Sequence, residues 1–166
     1  MHALGSHGTP PVSKLLLCLH VLAALLAIGP VAVAASMFPK ALRRAHSDPG
    51  DREALATLRV LHRICRVYAA IGIAVPVLGL ATASSLGVLG SGWLIASILL
   101  TAAAAAILAL LILPGQDRAL AAAQVPGSSP GTRSPARLAM LTGVFNLLWA
   151  TVTILMIVRP GSTTGV

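Results

Sequence analysis

Few side chains in this sequence have the type and placement to do chemistry. His20 lies inside one apolar run and Asn146 inside another. Arg59, His62, Arg63 and Arg66 stand at i, i+3, i+4 and i+7 of the segment LRVLHRICR, so a helix would carry them on one face. An ionisable group at membrane depth is a functional hypothesis by default. For His20 that chemistry is ligation of a metal ion or haem in a redox role. The reading preferred here is a neutral imidazole bonded to a partner in the bundle, such as Asn146 or a threonine. A solution pKa near 6.5 makes the neutral form cheap to keep. Asn146 is expected to join helices through a hydrogen bond worth about 0.6 kcal/mol. Ser97 and Thr101 are expected to bond their own helix backbone. The basic quartet is expected to face anionic lipid headgroups or an acidic partner surface.

Catalysis finds little support. The chain has no hydrolase elbow, phosphate-binding glycine loop, zinc-protease pair or dinucleotide fingerprint. Its four acids, Asp48, Asp51, Glu53 and Asp117, all fall in polar segments, so neither a carboxylate pair nor a proton-coupled transport path suggests itself. Cys18 and Cys65 form no redox or zinc spacing. His2 and His7 near the start are two ligands on a flexible stretch, a poor metal site. No catalytic residue and no metal site are assigned, and no cofactor is expected beyond the alternative of haem or metal at His20.

The elements that hold these residues are set by hydropathy. Mean hydropathy is +0.90. Only 10% of the 166 residues are charged, where a soluble domain carries about a quarter. The apolar runs predict an all-α fold of four membrane spans at about residues 15–38, 67–86, 93–113 and 138–158, each long enough for a core of about 30 Å. They form a single membrane domain over residues 14–160, between a disordered tail at 1–13 and a polar tail at 161–166. Lys14, the following apolar stretch and Ala32-Val33-Ala34 also fit a signal peptide. Cleavage there would leave the basic residues that follow outside the cell, so an uncleaved span is favoured.

Between the first two spans, residues 39–50 are expected as a loop. Asp48 would then cap the second helix, with Pro49 at its first position and Arg52 placed to pair with Asp48. That helix should run from Asp51 to about Ser84, projecting a basic extension beyond the lipid before the second span, with Tyr68 at the interface. Gly72, Pro76 and Gly79 suggest a bend and close packing. Residues 84–92 read as a tight turn, and residues 102–106 as a block of small side chains suited to close helix approach. Residues 114–135 read as a second loop. It holds a short surface helix over 116–125 and then a flexible linker.

Charge orients the bundle. Of twelve Lys and Arg, seven lie in residues 39–66 and three in 116–137, leaving Lys14 and Arg159 on the other side. Both basic segments are therefore expected in the cytoplasm and both termini outside. The net charge of +8 sits between apolar runs, so lipid headgroups, and not nucleic acid, are the expected partners, together with other membrane proteins or a second copy. The arginine-, alanine- and glycine-rich composition looks bacterial.

At KLLLCLHVLAALLAIGP, residues 14–30, the chain resembles the small four-helix bacterial membrane proteins of domain of unknown function 2269. Its LHVLAA piece is also similar to the copper-resistance D group and to haem-handling helix bundles. In the haem-handling group, histidines on the spans bind the cofactor, and His20 is the position that matches. The expected function is an accessory, assembly or scaffolding role in the cytoplasmic membrane without catalysis. The alternatives are a redox or haem protein using His20, and a small oligomeric transporter.

Overall fold

The computed structural model describes residues 11–48, 50–125 and 133–161, and no strand occurs among them. Six α-helices follow in order: α1 (Pro11–Ser47), α2 (Arg52–Ile71), α3 (Ala74–Ser85), α4 (Gly92–Ala106), α5 (Leu113–Ala123) and α6 (Arg133–Val158), with a π-helical turn, Ile107–Ile112, joining α4 to α5. They make four rods long and apolar enough to cross a membrane: α1, α2 with α3, α4 through α5, and α6. Leu25, Leu99, Leu110, Leu147 and Ile157 are among many large apolar side chains left exposed, an arrangement suited to lipid.

α1 is the central rod, packed along α2 and α3 and against α6, while α4 packs on α6 and α5 on α2. Its buried stripe is Ala27, Val31, Ala34, Ala35, Phe38, Leu42 and Ala45, the three-and-four spacing of one helix face. Small residues along that stripe let neighbouring backbones come close. Leu58, Cys65, Ala104, Ile112 and Phe145 close the core from α2, α4, the π turn and α6. This core gathers at the end that carries the basic segments.

Several boundaries differ from the sequence expectation, each through proline or a cap. α1 does not stop at Phe38. It runs through Pro39 to Ser47, burying Pro39, Leu42 and Ala45. Proline frees one carbonyl, and packing against neighbouring helices tolerates that. The first thirteen residues are likewise not all tail, since helix begins at Pro11; residues 1–10 lie outside the description. The expected loop of 39–50 shrinks to a tight turn. There Asp48 Oδ1 accepts from Gly50 N (3.1 Å), and Asp51 is the cap of α2, accepting from Ala54 N at 2.9 Å. Asp48 is thus a turn residue, not the cap; Pro49 lies outside the described residues. The ion pairs of the turn also differ from an Asp48–Arg52 pair, because Arg44 reaches back to Asp51 (2.7 Å) and Glu53 (3.2 Å).

The expected bend in the second span is a break. Ile73 N bonds Ala70 O (3.2 Å) and Val75 N bonds Gly72 O (3.1 Å), a tighter step than the α ladder. Pro76 explains it, because it offers no N–H to the Gly72 carbonyl four residues back. Tyr68 is half-buried. With Gly72, Pro76, Thr101 and Trp149 it lines a cavity of about 160 Å³ beside the break.

The third rod also passes the expected loop start. α4 continues through the π turn into α5, past Pro114. The turn's wider hydrogen bond, Leu113 N to Leu108 O, shifts the ladder ahead of the proline, and such bulges accommodate an interruption without ending a helix. The surface helix foreseen over 116–125 is therefore the end of a span-length rod, and Gln116 and Ala119 on it are buried. Of the alanine block at 102–106 only Ala104 is buried. The linker reading of residues 126–132 falls outside the described residues. α6 begins at Arg133 and ends at Val158, where Arg159 turns left-handed (φ 45°).

Candidate functional site

Two buried or half-buried histidines tie separate rods together. His20, half-buried on α1, places Nδ1 3.0 Å from the Val75 carbonyl of α3. A carbonyl only accepts, so Nδ1 carries a proton, and in that tautomer of the neutral ring the lone pair is on Nε2. Gly79, one turn along α3, makes room for the ring: a Cβ there would lie 2.9 Å from His20 Cε1 and 3.3 Å from Nδ1. The expected bundle partner of His20 is thus backbone, not Asn146. Asn146 instead donates from Nδ2 to Ser36 Oγ of α1 (3.2 Å), and Ser36 Oγ donates to Ala32 O. Asn146 Oδ1, Thr142 Oγ1 and Trp149 Nε1, along one side of α6, are buried without a partner among the described residues. Ser97 bonds its own backbone at Trp93 O (2.8 Å).

His62 departs from the sequence reading. Arg59, Arg63 and Arg66 are exposed on α2, but His62 is buried with Leu58, Leu61 and Cys65. Its place on the helix accounts for this. At about 100° per residue, His62 sits at the edge of the basic arc, as near to Leu58 as to Arg66. Its Nδ1 lies 3.1 Å from Gln116 Oε1 of α5, and Gln116 Nε2 approaches Cys65 Sγ at 3.6 Å. Nε2 is 2.9 Å from Asp117 Oδ1, but the oxygen lies off the N–H direction, so this is a charge contact and not an in-line hydrogen bond.

Two proton arrangements satisfy these atoms. In one, Nδ1–H donates to Gln116 Oε1. With the amide turned over, Gln116 Nε2 donates to a bare Nδ1 and Oε1 accepts from the Cys65 thiol. The joint therefore holds α2 to α5 with either ring tautomer of His62. Gln116 was missed in the sequence because it stands beyond Pro114, in a stretch that reads as loop. The spacing of Gln116 and Ala119 on one helix face, with Pro114 discounted as a stop, was the available signal.

The two histidines are not one site. His62 precedes Val75, the partner of His20, by thirteen residues, about 20 Å along a helix. Among the described residues no three His, Cys, Asp or Glu side chains converge. His20 does line a groove of about 490 Å³ between α1 and α6, with Met156 and Arg159 on its far wall. Arg159 also lies 5.6 Å over the Trp93 ring.

A family of predicted integral membrane proteins, DUF2269, matches residues 14–160. The chain belongs to this family. Its described part has the four apolar rods that such a multi-pass membrane protein requires. No curated protein and no solved structure matches the chain, so in this DUF2269 protein the side chains themselves carry the functional argument.

Proposed function

We propose that this DUF2269 protein is a non-catalytic accessory or assembly subunit of the cytoplasmic membrane, with both termini outside and the basic ends of α1, α2 and α5 inside. The observation that carries the reading is the commitment of each histidine to a second rod: His20 to the Val75 carbonyl and His62 to Gln116. Groups spent on fixing helix packing serve a bundle that presents a constant surface. Arg59, Arg63 and Arg66, exposed on α2, are the face for anionic headgroups or an acidic partner, and exposed apolar side chains face lipid, a partner or a second copy.

One observation favours a redox or haem reading as the second choice. Ligating histidines usually donate the other ring N–H to a carbonyl or carboxylate, and His20 does so, leaving Nε2 available beside the α1–α6 groove. The donor set does not suit a bare metal ion, because no three ligating side chains of these types converge among the described residues. A porphyrin would suit it better: His20, Met156 and Arg159, which line one groove, would hold the group, and it would supply electron transfer. Visible spectra and metal analysis of protein purified from membranes separate the two readings. The accessory reading expects no Soret band and a His20→Ala bundle that is less stable but spectrally unchanged. A Soret band that disappears in His20→Ala would overturn it in favour of the redox reading.

A further inference from the structure

We infer that the crevice between α5 and α6 at the basic end is a binding site for the phosphate headgroup of an anionic phospholipid. It has a volume of about 210 Å³ and is lined by Leu111, Gly115, Arg118, Ser134, Arg137, Leu138 and Leu141. The lining is graded in the same sense on both helices. Along one side Leu111, Gly115 and Arg118 follow at i, i+4 and i+7; along the other Leu141, Leu138 and Ser134 run back along the chain at i, i−3 and i−7. Each wall passes from leucine to a polar side chain, and Arg137 adds a second guanidinium to the polar end. The crevice therefore crosses the boundary between hydrocarbon and headgroups: an acyl chain fits its leucine end and a phosphate its arginine end.

The charges point to an anion. Arg118 donates from Nε to the Pro114 carbonyl at 3.1 Å, which holds its guanidinium at the rim. No carboxylate pairs with Arg118 or Arg137 among the described residues. A second basic crevice, between α1 and α2 and including Lys40 and Arg44, differs on this point, because Arg44 is already paired with Asp51 and Glu53. Paired guanidinium groups suit phosphate oxygens, which they can fork, and basic pockets between membrane helices take lipid headgroups. Gly115 brings the walls together: a Cβ there would lie 2.9 Å from Leu138 Cδ2. This site uses none of the residues on which the accessory reading rests, so either can fail alone.

The test uses the full chain in mild detergent, stripped of lipid and then offered phosphatidylglycerol, phosphatidylcholine or inorganic phosphate, with bound lipid followed by native mass spectrometry. The wild type should retain phosphatidylglycerol in preference to phosphatidylcholine. At about 1 kcal/mol per arginine, R118Q or R137Q should weaken retention about fivefold and the double variant about thirtyfold. The control variant R43Q/R52Q, two exposed charges that do not line the crevice, should leave this affinity within about twofold. Arg118 and Arg137 are exposed, and circular dichroism checks that the variants keep their helices. Wild-type retention by R118Q/R137Q, or equal retention of phosphatidylcholine, would overturn the site. Displacement of the lipid by equimolar inorganic phosphate would overturn the lipid as its ligand and leave a site for the free anion.

Discussion

Gly79→Ala tests the His20 joint more sharply than removal of the histidine does. In an exposed or lipid-facing helix interior, glycine to alanine gains about 1 kcal/mol of helix propensity. Here the new methyl would fall 2.9 Å from His20 Cε1, so the ring must leave or the helices must part. Leaving forfeits the bond to Val75 O, about 0.6 kcal/mol for an interhelical hydrogen bond in a membrane. Crowding a packed contact costs about 1–3 kcal/mol. The lost bond and the crowding together cost about 1.6–3.6 kcal/mol, so against the propensity gain the net is a loss of about 0.6–2.6 kcal/mol. With His20→Ala already in place the obstruction is gone, and the same Gly79→Ala change should stabilise by about 1 kcal/mol. The sign of the substitution thus depends on the residue at position 20. Reversible unfolding in mixed micelles, followed by helix circular dichroism across the four-member cycle, measures it. An equal effect of Gly79→Ala with His20 and with Ala at 20 would refute the packing argument, because additivity marks sites that do not touch.

His62→Ala should cost about 1–3 kcal/mol, because it strands a buried amide at Gln116, whereas Arg63→Ala on the exposed side should stay within about 0.5 kcal/mol; thermal unfolding in detergent compares them. Single cysteines at Ser47 and Ser128, in a chain freed of Cys18 and Cys65, should resist an impermeant thiol reagent in intact cells, and labelling from outside would refute the proposed orientation. Arg59, Arg63 and Arg66 changed together to Gln should reduce co-purifying anionic lipid, at about 1 kcal/mol per charge and less in high salt. The Ala54 N–H, with Arg44, outweighs partial desolvation and holds the Asp51 carboxyl below its ordinary range. Its contribution to the α1–α2 turn is then complete above about pH 4 and is lost as pH falls through the lower folded value. Hydrogen exchange at Ala54 should speed up over that acid step in wild type, and the step should be missing in Asp51→Asn.

Legibility followed the strength of the physical signal. Four apolar stretches of span length announce four rods, because hydrocarbon admits little else but helix. Gly72 and Pro76 announced the interruption of the second rod for the same local reason that produces it. Pro39 and Pro114 misled: each reads as a stop in water, yet α1 and the α4–α5 rod pass through them. At Pro39 the continuing stripe of Phe38, Leu42 and Ala45 supplies packing on the far side. At Pro114 the π turn moves the ladder. The Asp48 cap was misplaced by the same error, because a helix that extends to Ser47 uses up the chain that a loop would have needed, and the cap moves on to Asp51.

Partners across helices were less legible than helices. His20 was read as a neutral packing group, but the acceptor is the Val75 main chain, and a carbonyl has no side-chain signature in sequence. Gly79 did carry a trace of it, since a glycine on a membrane helix often marks close approach. His62 shows the opposite case. Its spacing with three arginines is genuine, yet membership of a stripe is decided at its edges, where about 40° separates a residue from either neighbouring arc. The buried arc won because Gln116 offered a polar partner inside it. Both histidines thus mark where a rod must meet a polar group of another rod, and the two meetings lie at different depths. The lower one sits within the dense core that runs from Phe38 to Ile112. The upper one stands beside the groove between α1 and α6, where fewer side chains share the work. Loss of the His20 bond therefore acts outside that core and beside an open groove, which is why a single methyl at Gly79 is the more discriminating probe.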